Sequence, residues 1–365
     1  MSESKTSSEV LVVGAGAAGM ASAIALARAG VRVTLLERGE AGREASWAGG
    51  GILSPLPHWN FREEVTRLTM RGEALWPEWA DYLQASTGVD TEYRKCGMMI
   101  LPDYDEEKGL RWCREHGVPL ERIAAREREP ALGYDGPALL LPEVAQVRNP
   151  RLLRAMRQCL EGLGVVIHEQ TEVIGWRIAG NAVQAVETTR GDFSAERYLV
   201  CGGAWSQILC GRYAQGLDIW PVRGQIVLFQ ATPGLLDTVV LRNGYYLVPR
   251  KDGLILAGTT RENVGFDKST TAQARADILA HASALLPALR EEMIVKHWAG
   301  LRPGAPDNIP TLGRHPEIEN LYVNSGHFRY GVTMAPACAE IIANLLLGRP
   351  QPLDIAPYRW PQAAA

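Results

Sequence analysis

Hydrophobic residues near the start of the chain are concentrated in two short segments, a continuous apolar run within residues 9–14 and a second segment of the same kind, residues 31–37. Continuous runs of this length are typical of strands covered on both faces in a parallel sheet. Between them lies a segment rich in small side chains, residues 17–29, and Gly30 follows it directly. Because glycine commonly ends a helix, the pattern predicts a strand, a helix and a second, parallel strand.

The rest of the chain alternates between helical and extended patterns. Helices are predicted at 62–86, 105–116 and 332–347, and strands at 165–168, 197–200, 225–229, 245–249, 254–258 and 321–325. The glycine-rich stretch 44–51 is predicted to be an irregular loop. This order predicts an α/β plus α+β fold with two discontinuous domains. The expected domains are a Rossmann-type nucleotide-binding domain of residues 1–85, 145–219 and 298–365, and a strand-rich substrate domain of residues 86–144 and 220–297.

Composition and charge narrow the class of protein. Of 365 residues, 46% are hydrophobic and 22% charged, and the formal net charge is -3. Without a basic surface or a Lys/Arg run, nucleic acid is not expected as a partner. No apolar stretch reaches the roughly 18 residues of a membrane span, and residues 1–9 lack the features of a secretory signal. We therefore expect a soluble cytoplasmic protein.

The cysteines and histidines show no metal-ligand spacing. Buried free thiols and no metal site are expected, because the six cysteines contain no Cys-x-x-Cys pair and the seven histidines are scattered.

The turn after the first strand carries three glycines, in the order Gly14-Ala15-Gly16-Ala17-Ala18-Gly19. In a dinucleotide-binding turn the first glycine allows the tight bend, the second lets the backbone approach a pyrophosphate, and the third allows close helix–strand packing. Glu37 ends the second strand, where a carboxylate can accept hydrogen bonds from ribose hydroxyls. This acidic residue disfavours NADP, although the adjacent Arg38 weakens that argument.

Because no second glycine motif follows for a nicotinamide partner, a single site favours FAD. The alternative is a tight strand–helix turn that binds no ligand.

Several longer segments identify the chain as similar to a known family. They are Val13–Gly19, Glu44-Ala-Ser-Trp-Ala-Gly-Gly-Gly-Ile-Leu-Ser-Pro55, Val147–Arg151, Gly203–Ser206, Pro221–Gln225, Tyr246–Gly253, Trp298-Ala-Gly-Leu-Arg-Pro-Gly304 and Gly326-His-Phe-Arg-Tyr-Gly331. Together they resemble the D-amino-acid-oxidase-like flavoproteins, and within them the glycine-oxidase group. The resemblance implies a cytosolic homotetramer with non-covalent FAD. It also implies oxidation of glycine, sarcosine and small D-amino acids by O2 to an α-keto acid, ammonia and H2O2, in the service of thiamine biosynthesis.

The same resemblance implies cofactor-binding positions beyond the glycine turn. Glu37 and Arg38 would lie at the ribose, and Val173 would meet the adenine through its backbone. The remaining positions would flank the pyrophosphate and the flavin ring: Ser46, Trp47, Ala48, Gly50, Gly51, Gly300, Arg302, His327, Arg329, Gly331, Val332 and Thr333.

Oxidation of an amino acid requires that its carboxylate be held while hydride leaves Cα for flavin N5. Arg302 is the candidate clamp, since a guanidinium binds a carboxylate bidentately and stays charged. The alternative is a structural arginine paired with a local carboxylate. Tyr246 is the second catalytic candidate, as a donor to the same carboxylate, and Tyr245 would face the other side of the strand. No side-chain base is required if the amine arrives neutral.

The final helix is expected to aim its positive N-terminus at the flavin and to favour the reduced anion, with Pro336 in its first turn. The alternative is a helix that merely packs on the sheet. His327 is interpreted as a loop histidine rather than a catalytic group, and Trp205 and Trp298 as packing residues.

Two positions depart from the pattern of the glycine-oxidase group. Arg261 stands where an apolar side chain is usual; facing inward it would admit an acidic or phosphonate substrate, and facing outward it would change nothing. Arg329 is a second candidate residue of the substrate pocket. Tyr330 replaces the usual Asn, and we expect it to alter the local surface.

Two other functions stay open from the sequence. One is an FAD-dependent D-amino-acid dehydrogenase with an acceptor other than O2. The other is a flavin-binding partner subunit without turnover, against which Arg302 and Tyr246 argue.

Overall fold

The computed structural model describes residues 8–361, so residues 1–7 and 362–365 of the predicted nucleotide-binding domain lie outside it. The helices within these residues are α1 Ala17–Arg28, α2 Ala45–Ala48, α3 Glu63–Thr87, α4 Glu106–His116, α5 Ala125–Arg128, α6 Asn149–Gly162, α7 Ser206–Cys210, α8 Ala272–Leu285 and α9 Gly331–Leu347.

The strands are β1 Ser8–Val13, β2 Val33–Leu36, β3 Ile52–Leu53, β4 Arg94–Lys95, β5 Met98–Ile100, β6 Glu121–Ala124, β7 Pro137–Leu141, β8 Ala145–Gln146, β9 Val166–His168, β10 Val173–Ala179, β11 Ala182–Thr188, β12 Gly191–Phe193, β13 Ala195–Val200, β14 Trp220–Gln230, β15 Val239–Arg242, β16 Tyr245–Pro249, β17 Leu254–Gly258, β18 Ile294–Gly304, β19 Thr311–Arg314 and β20 Leu321–Ser325.

A six-stranded sheet in the order β19-β20-β13-β1-β2-β9 forms the first layer. All of its neighbours pair in parallel except β19 with β20. Residues 10–13 of β1 are buried on both faces, as the continuous apolar run predicted. Helices α1 and α9 pack together against this sheet, and their small and aliphatic side chains fill one core with it. The Rossmann-type layer is therefore confirmed.

An eight-stranded mixed sheet forms the second layer, in the order β18-β14-β17-β16-β15-β5-β7-β6. Its two apolar cores lie on opposite faces of the sheet, one of them beneath α8. This is the predicted strand-rich part, and the combination of the two layers confirms the fold class. Two small three-stranded sheets, β10-β11-β12 and β3-β8-β4, complete the strands of the described chain.

The predicted domain boundary between residues 297 and 298 falls inside a single strand. Strand β18 runs without interruption from Ile294 to Gly304, and it pairs along its length with β14. We propose that the second domain continues to Gly304, after which the chain returns to β19 and β20.

Two local predictions were wrong. Stretch 44–51 is not wholly irregular, because Ala45–Ala48 form the helical turn α2 and the glycines begin only at Gly49. Pro336 is not in the first turn of α9, because that helix begins at Gly331 and places Pro336 sixth, inside it. The carbonyl of Val332 therefore lacks the backbone donor that normally lies four residues later.

The six cysteines are buried and free, as predicted. In the described part of the chain, no helix is both long and apolar enough to cross a membrane.

Candidate active site

A cavity of about 1070 Å³ opens where β1 and β2 end, at the carboxyl edge of the six-stranded sheet. Its wall includes Gly14 and Gly16 of the turn before α1, and Cys201 and Gly202 after β13. Ligands of open parallel sheets bind at this edge, where helix N-termini provide free N–H groups.

The space around each of the three glycines of the turn fits the role predicted for it. Gly14 has φ +108°, and a Cβ there would collide with the carbonyl of Cys201. A Cβ at Gly19 would collide with the carbonyl of Gly14, whereas one at Gly16 would meet only the Ser46 hydroxyl, at 3.3 Å. The turn is therefore packed tightly except at Gly16, where the backbone is open to a ligand. This is the cradle that a pyrophosphate requires.

Two side chains hold this cradle in shape. Glu37 accepts hydrogen bonds from Ala15 N at 2.9 Å and from Gly39 N at 3.0 Å. The hydroxyl of Ser46 accepts one from Ala17 N, also at 2.9 Å, at the first turn of α1. Both oxygen-bearing groups line the cavity, so Glu37 would meet the ribose and Ser46 the pyrophosphate of a bound FAD.

Arg38 does not project freely toward a 2′-phosphate. Its guanidinium stacks on the Trp205 ring, 3.8 Å from the centroid, and donates to the Glu44 carboxylate at 3.0 Å. Trp205 thus forms part of the cavity wall as well as packing. Val173 lines the same cavity, as the predicted adenine contact would require.

A second, inner cavity of about 570 Å³ lies between α2 and the eight-stranded sheet, and Ala45 lines both cavities. Its lining includes the predicted residues Ala48, Gly50, Gly51, Tyr246, Gly300, Arg302 and Arg329. A Cβ at Gly300 would collide with Ala48 Cβ, so α2 rests directly on β18. The two cavities together can hold the two halves of a dinucleotide, and the residues present fit FAD.

Arg302 is one of the two arginines that line the inner cavity, the other being Arg329. Arg302 donates from Nη2 to Thr259 Oγ1 at 2.6 Å and from Nη1 to the carbonyl of Thr260 at 3.2 Å. It forms no ion pair with any residue of the described chain, so the structural alternative of a local carboxylate partner is not what is observed. Desolvation lowers the pKa of Arg302 to about 10, and the side chain stays charged at neutral pH.

Gly224 makes room for this guanidinium and was missed by sequence reasoning. Gly224 lies on β14 opposite Gly300 of β18, and a Cβ there would collide with the Arg302 guanidinium. Thr259 and Thr260 were also missed as its neutral acceptors. The Thr260 hydroxyl donates to Glu262 at 2.5 Å and accepts from Gln225 N at 2.9 Å. Only the long-range pairing of strands could have revealed these contacts.

Tyr246 lies on β16 and is enclosed between two glycines. A Cβ at Gly50 or at Gly258 would approach its ring to within 3.0–3.1 Å. Its ring is 6% exposed and lines the inner cavity near Arg302. As predicted, Tyr245 faces the other side of the strand. There its ring stacks on that of His281 of α8, with 3.7 Å between the ring centroids.

The predicted residues between β20 and the first turn of α9 differ in their contacts and in whether they line the inner cavity. His327 is 4% exposed, its Nε2 has no hydrogen-bond partner in the described structure, and burial lowers its pKa to about 4. Thr333 donates from its hydroxyl to the carbonyl of Ile52 at 3.3 Å. Tyr330 is buried, lines the inner cavity and packs edge-on against Phe61. Tyr330 therefore belongs to the wall of the inner cavity, and its effect on the local surface stays a prediction.

Several predicted cofactor residues line neither of these two cavities. Trp47 instead packs edge-on against Trp298, 5.5 Å between ring centroids, and Trp298 donates to the carbonyl of Ala48 at 3.1 Å. The others are Ala15, Ala17, Ala18, Gly19, His327, Gly331, Val332 and Thr333.

Arg261 lies at the mouth of the site. It is exposed, and it lines an outer cavity of about 520 Å³ that shares Thr259, Arg302 and Arg329 with the inner one. The side chain therefore meets solvent and also borders the outer cavity, so it points neither wholly inward nor wholly outward.

Comparison with known proteins agrees with this geometry. The chain is similar to a glycine oxidase of Pseudomonas aeruginosa, with 43% identity over 96% of this chain and 98% of the relative. It is 30% identical to the hydrogen cyanide synthase subunit HcnC of the same organism, over 87% of this chain and 78% of that protein. The crystal structure of glycine oxidase from Geobacillus kaustophilus superimposes with a TM-score of 0.92 at 31% identity, covering 98% of this chain and 99% of that one. The model of the DAO family, described as FAD dependent oxidoreductase, matches residues 9–345. The chain therefore belongs to the DAO family of FAD-dependent oxidoreductases, and it is an FAD-dependent amino acid oxidase.

Proposed function

We propose that the protein oxidatively deaminates glycine and other small amino acids, among them sarcosine and D-amino acids, with O2 as the acceptor. Glycine, O2 and water would give glyoxylate, ammonia and H2O2. The observation that carries this proposal is Arg302, a desolvated cation whose hydrogen-bond acceptors, Thr259 and Thr260, are both neutral. Such a cation is stabilised by an anion from outside the chain, and a substrate carboxylate is the natural one.

The residues of the inner cavity bind and orient the substrate. Arg302 would hold the carboxylate, and the Tyr246 hydroxyl would donate to one of its oxygens. Tyr246, the Arg302 guanidinium and Ala48 pack directly on Gly50, Gly224 and Gly300, respectively, and this close packing limits the space to a small amino acid. When bound, FAD supplies the two-electron acceptor for the hydride that leaves Cα.

The inner cavity contains no carboxylate and no histidine among the described residues that line it. No side chain is therefore placed to remove a proton from Cα or from the amine. The arrangement requires a substrate whose amine is already neutral, so that its lone pair can form the C=N bond as hydride departs. Water then hydrolyses the imine.

The test is the visible absorption of the purified yellow protein before and after anaerobic glycine, combined with a peroxide-coupled assay. Bleaching by glycine, with peroxide formed from glycine, sarcosine, D-alanine or D-proline, is the expected result. No turnover of any amino acid would refute the proposal and favour a partner subunit without turnover. Bleaching followed by slow reoxidation in air would instead indicate a dehydrogenase with another acceptor.

We further propose a cytoplasmic homotetramer that holds FAD non-covalently and supplies thiamine biosynthesis, as the family resemblance implies. Light scattering at micromolar concentration would test the assembly, and release of yellow colour into the supernatant on acid precipitation would test the mode of attachment.

A further inference from the structure

The outer cavity concentrates positive charge in a way that glycine does not require. Three arginines line it, Arg261, Arg302 and Arg329, and no carboxylate of the described residues does. The rest of its lining is polar or small: Asn243, Gly244, Tyr245, Thr259 and Thr260. One cation is sufficient to hold the single carboxylate of glycine, so the other two need a separate explanation.

Neither Arg261 nor Arg329 is neutralised by another of the described residues. Neither forms an ion pair or a hydrogen bond with any residue between 8 and 361. The carboxylate adjacent in sequence, Glu262, is fully engaged, since it accepts from Arg223 Nη2 at 2.5 Å and from Gln225 Nε2 at 2.9 Å. Unpaired guanidinium groups at one mouth form an anion-binding surface, because their planar donor forks match carboxylate and phosphonate oxygens.

The cavity is continuous with the inner one. Thr259, Arg302 and Arg329 line both, whereas Arg261 lines only the outer one. A substrate held at Arg302 by its α-carboxylate would therefore extend any further substituent toward Arg261 and Arg329.

We infer that the preferred substrates of this site are amino acids with a second anionic group, on the side chain or on the nitrogen, which Arg261 and Arg329 bind. This inference rests on the proposed amino acid oxidation and names its substrate class. For iminodiacetate, hydride leaves one CH2 as the C=N bond forms, and water cleaves the imine. The products are glyoxylate and glycine, while O2 takes up the two electrons as H2O2.

Two substrate pairs test the inference, because the members of each differ by one carboxylate: D-alanine with D-aspartate, and sarcosine with iminodiacetate. We expect the holoenzyme to have the higher kcat/KM for the second member of each pair. Within each pair, the ratio of the kcat/KM of the second member to that of the first measures this preference. Arg261→Met should lower the ratio by about tenfold or more, as expected from the loss of one charge-assisted contact, and Arg261→Lys should restore most of it. Arg349→Met, which removes an exposed arginine after α9, is the matched control and should leave the ratio unchanged.

Binding of anions that cannot be oxidised provides a readout independent of turnover. Calorimetry of the holoenzyme should show succinate binding more tightly than propionate, and the difference should disappear in Arg261→Met. Equal affinities, or equal losses of kcat/KM for D-alanine and D-aspartate in Arg261→Met, would overturn the inference and leave Arg261 as a general attractor of anions. If succinate binds through Arg261 but no amino acid is oxidised, the proposed function fails while the anion site stands.

Discussion

At the scale of single residues, Arg302 dominates the expected behaviour of the site. Replacing it with Ala should raise the KM for glycine by about 100-fold, because truncating one partner of a buried charge contact costs on the order of 2–5 kcal/mol. FAD should stay bound, since the nucleotide cavity is formed by other residues. Steady-state kinetics and the flavin spectrum of the purified variant measure both effects.

The matched control for Arg302→Ala is Arg349→Ala, which removes an exposed arginine that lines neither cavity. An unchanged KM in Arg302→Ala would contradict the clamp. Loss of FAD together with activity would show that Arg302 serves the cofactor instead.

His327 should make the protein sensitive to acid. Burial lowers its pKa to about 4, below the value of about 6.5 in an unfolded chain. The unfolded chain therefore binds a proton that the folded protein excludes, and the free energy of unfolding falls as the pH decreases from 6.5 toward 4. The full loss is on the order of 3 kcal/mol. Urea unfolding of the FAD-saturated protein at pH 7 and pH 4.5 measures it.

His327→Gln should unfold with a weaker dependence on pH than the wild type, because Gln has no proton to bind. His281→Gln, which changes an exposed histidine, should retain the wild-type dependence. Equal pH dependence in the His327 variant and the wild type would refute this role.

At the scale of elements, the strand pair β14–β18 shapes the clamp. Gly224→Ala should displace the Arg302 guanidinium, because the added methyl would occupy its position. We expect kcat/KM for glycine to fall by at least about tenfold, a cost within the range of overpacking, while the flavin spectrum persists. Gly162→Ala is a suitable control, since no atom of the described residues lies within 4 Å of a Cβ there. Wild-type kinetics in Gly224→Ala would show that the guanidinium can move without loss.

Local sequence signals predicted most elements but not their contacts. The apolar runs predicted β1 and β2, and the three glycines predicted the turn that joins β1 to α1, because both signals lie within a few neighbouring residues. The space at Gly224 depends on the pairing of β14 with β18, some 75 residues later in the chain. The helical turn α2 was missed because glycines that follow it obscured the Ala-Ser-Trp-Ala segment. Arg302 and Tyr246 were found through family resemblance, whereas their surroundings follow from the tertiary structure.

At the scale of the whole molecule, the cofactor site joins two separately built layers. The nucleotide cavity belongs to the six-stranded sheet, and the inner cavity belongs to α2 and the eight-stranded sheet, with Ala45 in both linings. Exposed ion pairs also connect the layers, such as Lys268 with Glu44 at 3.0 Å. Pairs of this kind contribute at most about 1 kcal/mol each to the free energy of unfolding. A ligand present at a thousandfold excess over its Kd stabilises the folded state by about 4 kcal/mol. FAD should therefore raise the melting temperature of the whole chain.

Two glycine variants distinguish the stability of the apoprotein from the added stability of its complex with FAD. Gly16 has φ -76° and ψ -177°, which any residue can adopt, and only the Ser46 hydroxyl lies near its Cβ position. Gly16→Val should leave the melting temperature of the apoprotein nearly unchanged and abolish the increase caused by FAD, because its side chain fills the space that the pyrophosphate needs. Gly14→Ala should instead destabilise the apoprotein itself, since φ there is +108° and the Cβ would strike the Cys201 carbonyl. Differential scanning calorimetry with and without FAD distinguishes the two effects. If Gly16→Val were stabilised by FAD as much as the wild type, the nucleotide could not lie against this turn.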